Sequence, residues 1–210
     1  MRSKEEETLT GKLVAFEGID CAGKSSVIKL LPALLADCKA PLITCGERNS
    51  PLDFLLRGER LKTASGFIKT FLFATDRAWT YEEVCLPALR RGEIVLWDRY
   101  VDSAIIYRAV EFSLGKSDID LSFVEAINKP FRPPDLTVYI DISVETSLIR
   151  AEEKKSDEPY NAKFLGKARE KYLERAAEKG YRIINGERPL DEVAADVVSV
   201  IRSQLKEFFP

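Results

Sequence analysis

Apolar positions along the chain follow two alternating periods. Runs at Leu13–Phe16, Pro41–Thr44, Ile94–Trp97, Leu136–Ile140 and Tyr181–Ile184 are nearly continuously apolar or β-branched, which predicts strands covered on both faces. Between them, stretches over 24–37, 64–90, 102–110, 119–128, 143–153, 162–179 and 189–208 carry apolar residues at helical spacing, with Gly92 and Gly180 placed as helix stops. Strands alternating with helices build βαβ units. The expected fold is α/β: a five-stranded parallel sheet with helices on both faces, in three layers α/β/α. No repeat, low-complexity tract or Pro/Gly linker divides the chain, so one domain over 1–210 is expected.

Composition narrows the chemistry. With 32 basic against 34 acidic residues the net charge is −2, so nothing global draws the chain to nucleic acid or an anionic membrane, and any anion site must be local. The chain contains no His, which removes imidazole bases, Ser-His and Cys-His nucleophile pairs and His-ligated metals. Cys21, Cys38, Cys45 and Cys85 lack C-x-x-C spacing, the first residues lack a secretory apolar stretch, and no apolar run approaches a membrane span. These features give the expectation of a cytoplasmic protein with reduced thiols. Side-chain amides are confined to Asn49, Asn128, Asn161, Asn185 and Gln204, a scarcity that suggests a thermophilic source.

Directly after the first predicted strand stands Gly18-Ile19-Asp20-Cys21-Ala22-Gly23-Lys24-Ser25, a full G-x-x-x-x-G-K-[ST] match leading into a helix. Glycines at these positions let successive backbone N–H groups and the helix N-terminus face phosphates. Lys24 can reach the outer phosphates and the Ser25 hydroxyl can ligate Mg²⁺. ATP or GTP binding follows. Other polar residues gather where ligands of open α/β sheets bind, at the carboxyl ends of strands. Asp98-Arg99-Tyr100 ends the third strand and can offer a carboxylate to Mg²⁺ and a guanidinium to a moving phosphoryl, or form a structural ion pair. Glu47-Arg48 follows the second strand. Phe73 and Arg77 share a helix face and can supply an aromatic platform and a phosphate clamp, although Phe73 also fits a core role.

These residues together resemble the thymidylate kinases, P-loop enzymes that pass the γ-phosphoryl group of ATP to dTMP. The resemblance spans about residues 11–205. It rests on Phe16-Glu17-Gly18-Ile19-Asp20-x-x-Gly23-Lys24-Ser25, Asp98-Arg99-Tyr100-x-x-Ser103, Glu47-Arg48, Phe73-x-x-x-Arg77, Pro134-Asp135-Leu136-Thr137 and Asn185-Gly186. It implies ATP held by residues 18–26 (Gly18, Ile19, Asp20, Cys21, Ala22, Gly23, Lys24, Ser25, Ser26) with Arg150, and Mg²⁺ held by Ser25 and Asp98. It also implies dTMP bound by Asp20, Glu47, Arg48, Phe73, Arg77, Arg99, Ser103 and Tyr107, with Arg48, Arg77 and Arg99 on its phosphate and Phe73 on thymine. Lys24, Asp98, Arg99 and Asp20 become the catalytic set, the segment near 150–161 a lid, the 185–189 loop the neighbour of adenine, and the assembly a homodimer.

The chain departs from the family pattern at two places. Members usually carry an Arg in the P-loop or the lid, whereas this chain has Cys21 in the loop and no Arg over 151–168, leaving Lys154, Lys155 or Arg150 to neutralise phosphoryl charge. Bacterial members often place Gln after the pocket Tyr, where this chain has Arg108, so dUMP or another monophosphate stays open as acceptor. A deoxynucleoside kinase, and a P-loop regulatory protein without acceptor chemistry, remain as rival readings.

Overall fold

In a computed structural model, residues 9–47, 50–56, 61, 63–155 and 161–210 are described. The strands are β1 (Lys12–Glu17), β2 (Leu42–Gly46), β3 (Ile94–Asp98), β4 (Leu136–Asp141) and β5 (Arg182–Asn185). The helices are α1 (Lys24–Leu34), α2 (Asp53–Leu56), α3 (Gly66–Thr80), α4 (Leu86–Arg90), α5 (Val101–Ser113), α6 (Leu121–Asn128), α7 (Val144–Glu153), α8 (Ala162–Lys179) and α9 (Leu190–Gln204). All strands pair in parallel in the order β2-β3-β1-β4-β5, with helices around the sheet. The expected three-layer α/β/α fold is therefore present.

Side-chain alternation along the central strands divides the core in two. Leu13 and Ala15 of β1 join Val95 and Trp97 of β3 against Cys85, Ala88 and Leu89. Val14 and Phe16 join Ile94 and Leu96 in the larger cluster, which takes in Val27 and Leu31 of α1, Phe164 and Tyr172 of α8, and Val197 and Ile201 of α9. All four cysteines are free thiols, and burial pushes the Cys85 thiol up to about 12.

Local chemistry explains the element ends. Ser143 caps α7 by accepting from Thr146 N at 3.1 Å, and Asn161 caps α8 by accepting from Phe164 N at 3.0 Å. Gly180 closes α8 in the left-handed region, at φ 69°.

Several elements differ from the sequence expectation: the short helix α2 falls where no helix is expected, α1 ends three residues early at Leu34, and three further differences have a local cause. The single helix expected over 64–90 is α3, a π-helical turn over Tyr81–Cys85, and α4. Pro87 lacks the N–H that would bond to the Glu83 carbonyl and its ring crowds that group. The backbone widens just before it, so that Leu86 N reaches Tyr81 O. The helix expected over 189–208 stops at Gln204, where a turn at Leu205 returns Leu205 and Phe209 to the core. The second strand runs two residues beyond Thr44, to Gly46, which lies beside Asp98. A Cβ on Gly46 would stand 2.7 Å from the Asp98 carbonyl oxygen, so only Gly lets the two strand ends meet this closely.

Phe164 is fully buried and packs edge-on against the Tyr107 ring, with centroids 5.4 Å apart. Phe164→Ala is expected to cost about 3–5 kcal/mol, read as a lower midpoint in denaturant unfolding. A loss under about 1 kcal/mol would show that α8 does not depend on this contact.

Candidate active site

The carboxyl ends of β1, β2 and β3 lie level, because Phe16 and Gly46 are both in register with Asp98. A cleft of about 370 Å³ opens above them, within the range of small-molecule sites. Its floor is the loop from Gly18 to Ser25. Gly18 takes φ 149° and could not carry a side chain, since a Cβ would stand 2.6 Å from the Ile140 carbonyl oxygen. Gly23 at φ 98° starts α1, and Cys21 holds a left-handed backbone at φ 57° despite its side chain. The Ser147 hydroxyl donates to the Asp20 carbonyl at 2.7 Å and ties the loop to α7.

Lys24 is buried and donates to the carbonyls of Gly18, at 3.0 Å, and Ile19, at 2.8 Å. Those bonds hold the ammonium inside the loop where phosphate oxygens would replace the carbonyls. Burial, followed by the neighbouring Arg99 guanidinium, lowers its pKa to about 8, against the pull of Asp98 and Asp20. The exposed Ser25 hydroxyl donates to Asp98 Oδ2. These two hard oxygen donors fit Mg²⁺, an ion that takes few protein ligands and completes its shell with phosphates and water. Among the described residues no group of three or more acidic or Cys side chains forms a self-sufficient metal cage.

Arg99 joins the two halves of the cleft. Its backbone is left-handed at φ 60°, and its N–H bonds to Phe16 O at 3.0 Å, which turns the side chain back across the P-loop. Nη1 donates to Gly18 O at 3.1 Å and to the Tyr107 hydroxyl at 3.2 Å, while Nη2 pairs with Asp20 Oδ1. Tyr107 in turn donates to Asp20 Oδ2 at 3.1 Å. Beneath this junction lies Glu17, which accepts from Tyr100 N at 3.0 Å, the Ser103 hydroxyl at 2.5 Å and the Tyr172 hydroxyl at 3.1 Å. Burial, aided by Asp102, raises the Glu17 pKa, and the hydrogen bond from Ser103 and the charge of Arg99 oppose that shift.

The cleft gathers most of the residues expected from sequence. Residues 20–26 line it with Glu47, Phe73, Asp98, Arg99, Ser103 and Tyr107. Phe73 thus faces the cleft rather than the core. Arg77 is placed differently from the expectation of a phosphate clamp. It is buried behind the wall, where Nη1 donates to Asn128 Oδ1 at 2.7 Å, Nη2 stands 3.9 Å from Glu47 Oε1 and the guanidinium lies over Phe131. Helical spacing puts Arg77 on the Phe73 side of α3 but one turn deeper, under the layer formed by α6. Arg150 sits in the last turn of α7 and bridges the P-loop to the β5–α9 loop, donating to Gly186 O at 2.9 Å with Cys21 O at 3.5 Å. Lys154 lines the cleft from the end of that helix, whereas Lys155 is exposed with φ 49°. Arg48 and the lid residues Ser156, Asp157 and Glu158 lie outside the described residues.

Sequence reasoning missed Lys69, Thr70, Ala104, Val124 and Asn128, which line the far end of the cleft. Their signal was weak but present. Lys69, Thr70 and Phe73 share one side of α3, Val124 and Asn128 are four apart on α6, and Asn128 is one of only five side-chain amides in the chain. The motif residue Asp135 lies instead at the opposite end of the sheet, accepting from Leu13 N at 2.8 Å, so its part is to tie β4 to β1.

One cleft with a P-loop and an adjacent Ser and Asp at one end, and aromatic and cationic side chains at the other, defines a P-loop nucleotide kinase with donor and acceptor sides. A family model described as thymidylate kinase matches residues 16–197. The chain is 38% identical over 192 residues to a probable thymidylate kinase of Pyrobaculum aerophilum, covering 90% of this chain and 95% of that one. It is 32% identical over 203 residues to a probable thymidylate kinase of Sulfolobus acidocaldarius, covering 93% and 99%. Over 207 residues it is 32% identical to a thymidylate kinase of Thermoanaerobacter sp., covering 94% and 100%. The chain belongs to the thymidylate kinase family and is an ATP-dependent nucleoside monophosphate kinase.

The Lys24 pKa makes nucleotide binding proton-linked. In the empty protein Lys24 loses its proton above about pH 8, and a bound triphosphate favours the charged form, so binding above that pH takes up a proton. Calorimetry near pH 9 in buffers of different ionisation enthalpy is expected to show uptake approaching one proton per ATP, fading toward pH 7. Heats independent of buffer near pH 9 would refute the linkage.

Proposed function

We propose that the protein transfers the γ-phosphoryl group of Mg²⁺-ATP to dTMP, giving ADP and dTDP. Arg99 is the observation that carries this reading. It touches the P-loop carbonyl of Gly18 on one side and Tyr107 and Asp20 on the other, so one guanidinium stands where donor and acceptor phosphates must meet. Lys24 and the loop N–H groups hold the β- and γ-phosphates, and Ser25 and Asp98 hold Mg²⁺, which when bound neutralises charge on the donor phosphates. Phe73 supplies a flat apolar surface for the acceptor base, and Ser103 and Tyr107 border the sugar.

The chemistry asks for alignment and charge neutralisation more than for proton transfer. The acceptor is a phosphate, with a second pKa of about 6, and is already a dianion at neutral pH. A chain without His therefore lacks nothing the reaction requires. Asp20 keeps Arg99 and Tyr107 oriented before substrate arrives. Lys154 reaches the cleft from the end of α7 and replaces the missing arginine as the cation over the γ-phosphoryl group. Arg150, bound to two backbone carbonyls, fixes the hinge of that helix beside the adenine loop. The segment near 150–161 closes over ATP and limits hydrolysis.

The chain acts as one kinase domain, in the cytoplasm, and pairs as a homodimer. Support for pairing comes from Phe67, Ile68 and Phe71 of α3, all exposed, of which Phe67 stacks on Phe123 of α6 and Phe71 packs against both rings, forming one aromatic surface. No helix among the described residues is long and apolar enough to cross a membrane.

The test is ADP formation from Mg²⁺-ATP with dTMP, dUMP, dCMP, dAMP, dGMP, thymidine or no acceptor. Strong stimulation by dTMP is expected, and equal ADP release with and without acceptor would overturn the reading. Lys154→Ala is expected to lower kcat about tenfold or more while the KM for dTMP stays within about threefold, because its charge acts on the transferring group. Unchanged kcat would remove Lys154 from the mechanism.

A further inference from the structure

One P-loop residue holds a backbone conformation that its side chain disfavours. Cys21 stands at φ 57°, a left-handed geometry that Gly adopts freely and a residue with a Cβ does not. Such a conformation persists only where the surroundings over-determine it. Both peptide groups that flank Cys21 are held from α7. The Ser147 hydroxyl donates to the Asp20 carbonyl at 2.7 Å, and Arg150 Nη1 donates to the Cys21 carbonyl at 3.5 Å.

Ser147 makes the shorter of these two bonds. It is only 1% exposed, near the start of α7, and the first turn of that helix is anchored away from the loop, because Glu187 accepts from Ser143 N and from the Thr146 hydroxyl. A serine within a helix commonly returns its hydroxyl to a carbonyl of the preceding turn. Ser147 instead directs it to a loop 127 residues earlier in the chain. A trans peptide is planar, with its carbonyl and its N–H on opposite sides. Turning the Asp20 carbonyl toward α7 therefore turns the Cys21 N–H away from α7, to the side where Cys21 lines the cleft. Asp20 is fixed at its other end as well, since its carboxylate meets Arg99 and Tyr107. The same carbonyl swung into the cleft would set an acceptor against phosphate oxygens.

We propose that Ser147 is a positioning residue for the phosphoryl donor: by holding the Asp20–Cys21 peptide it keeps the Cys21 N–H turned toward the phosphates of Mg²⁺-ATP. The inference rests on the phosphate-holding role given to the loop above and deepens it, and it is independent of which monophosphate accepts the phosphoryl group. It makes the residue at position 21 and the hydroxyl at position 147 interdependent. Cys21 needs the bond from α7 because its Cβ works against the left-handed backbone, whereas Gly at the same position would take that backbone unaided.

The experiment measures the Kd of Mg²⁺-ATP by calorimetry, without acceptor, in the wild type, Ser147→Ala, Cys21→Gly and the double variant, with thermal midpoints recorded alongside. Ala is a better helix former than Ser, so α7 keeps its fold in Ser147→Ala. That variant is expected to bind Mg²⁺-ATP about tenfold more weakly, the scale of one buried hydrogen bond. In the Cys21→Gly background the same substitution is expected to cost less than about threefold, a rescue that a purely structural serine would not show. A Kd for Ser147→Ala within about twofold of the wild type, or an equal loss in both backgrounds, would overturn the proposal. Failure of the wild type to bind Mg²⁺-ATP would instead overturn the role given to the loop, so the two failures are read from different proteins.

Discussion

Everything at this site depends on the parallel register that puts Phe16 and Gly46 beside Asp98. A parallel sheet ends all its strands on one side, and the loops leaving β1 and β3 must share that edge. The P-loop leaves β1 and the Asp98-Arg99-Tyr100 turn leaves β3. Because these strands are neighbours, Ser25 meets Asp98 and Arg99 meets Gly18 and Asp20. Slipping the pairing by one residue would exchange the two faces of each strand and send the same side chains into the opposite helical layer.

That edge concentrates charge in a partly dry space, and among the described residues Glu17, Asp20, Lys24, Asp98 and Arg99 each meet a polar partner there. Glu17 sits under the β3 turn with donors from Tyr100, Ser103 and Tyr172, an arrangement that holds Arg99 in its left-handed conformation. Lys24 and Arg99 repel one another, and the carboxylates of Asp98 and Asp20 offset that repulsion. The site is thus organised before nucleotides bind, which spares the reaction the cost of reorienting its dipoles.

The fold was largely legible in the sequence, and the two sides of the site were legible to different degrees. Apolar runs located all five strands, since a strand covered on both faces must be apolar throughout. The donor side was readable because a P-loop is contiguous: eight residues carry the turn, the cation and the metal hydroxyl. The break in the helix expected over 64–90 depended on Pro87, a single residue whose effect on the backbone was missed. The acceptor side comes from α3, α5 and α6, which contribute two to four residues each at helical spacing and carry only a weak local signal. Phe73 could be named, but whether it faced core or cleft could not.

By itself the sequence determined the class of fold, the phosphate-binding loop and the exclusion of imidazole chemistry, because each follows from local pattern or from residues that are present or absent. Tertiary structure alone decided which cations face the cleft. It buried Arg77 against Asn128, bridged Arg150 to two backbone carbonyls, and brought Lys69, Arg108 and Glu111 together from two helices. The reason is physical: a side chain's role in such a cleft depends on burial and on the partners it meets across helices far apart in the chain, and neither is encoded at any one position.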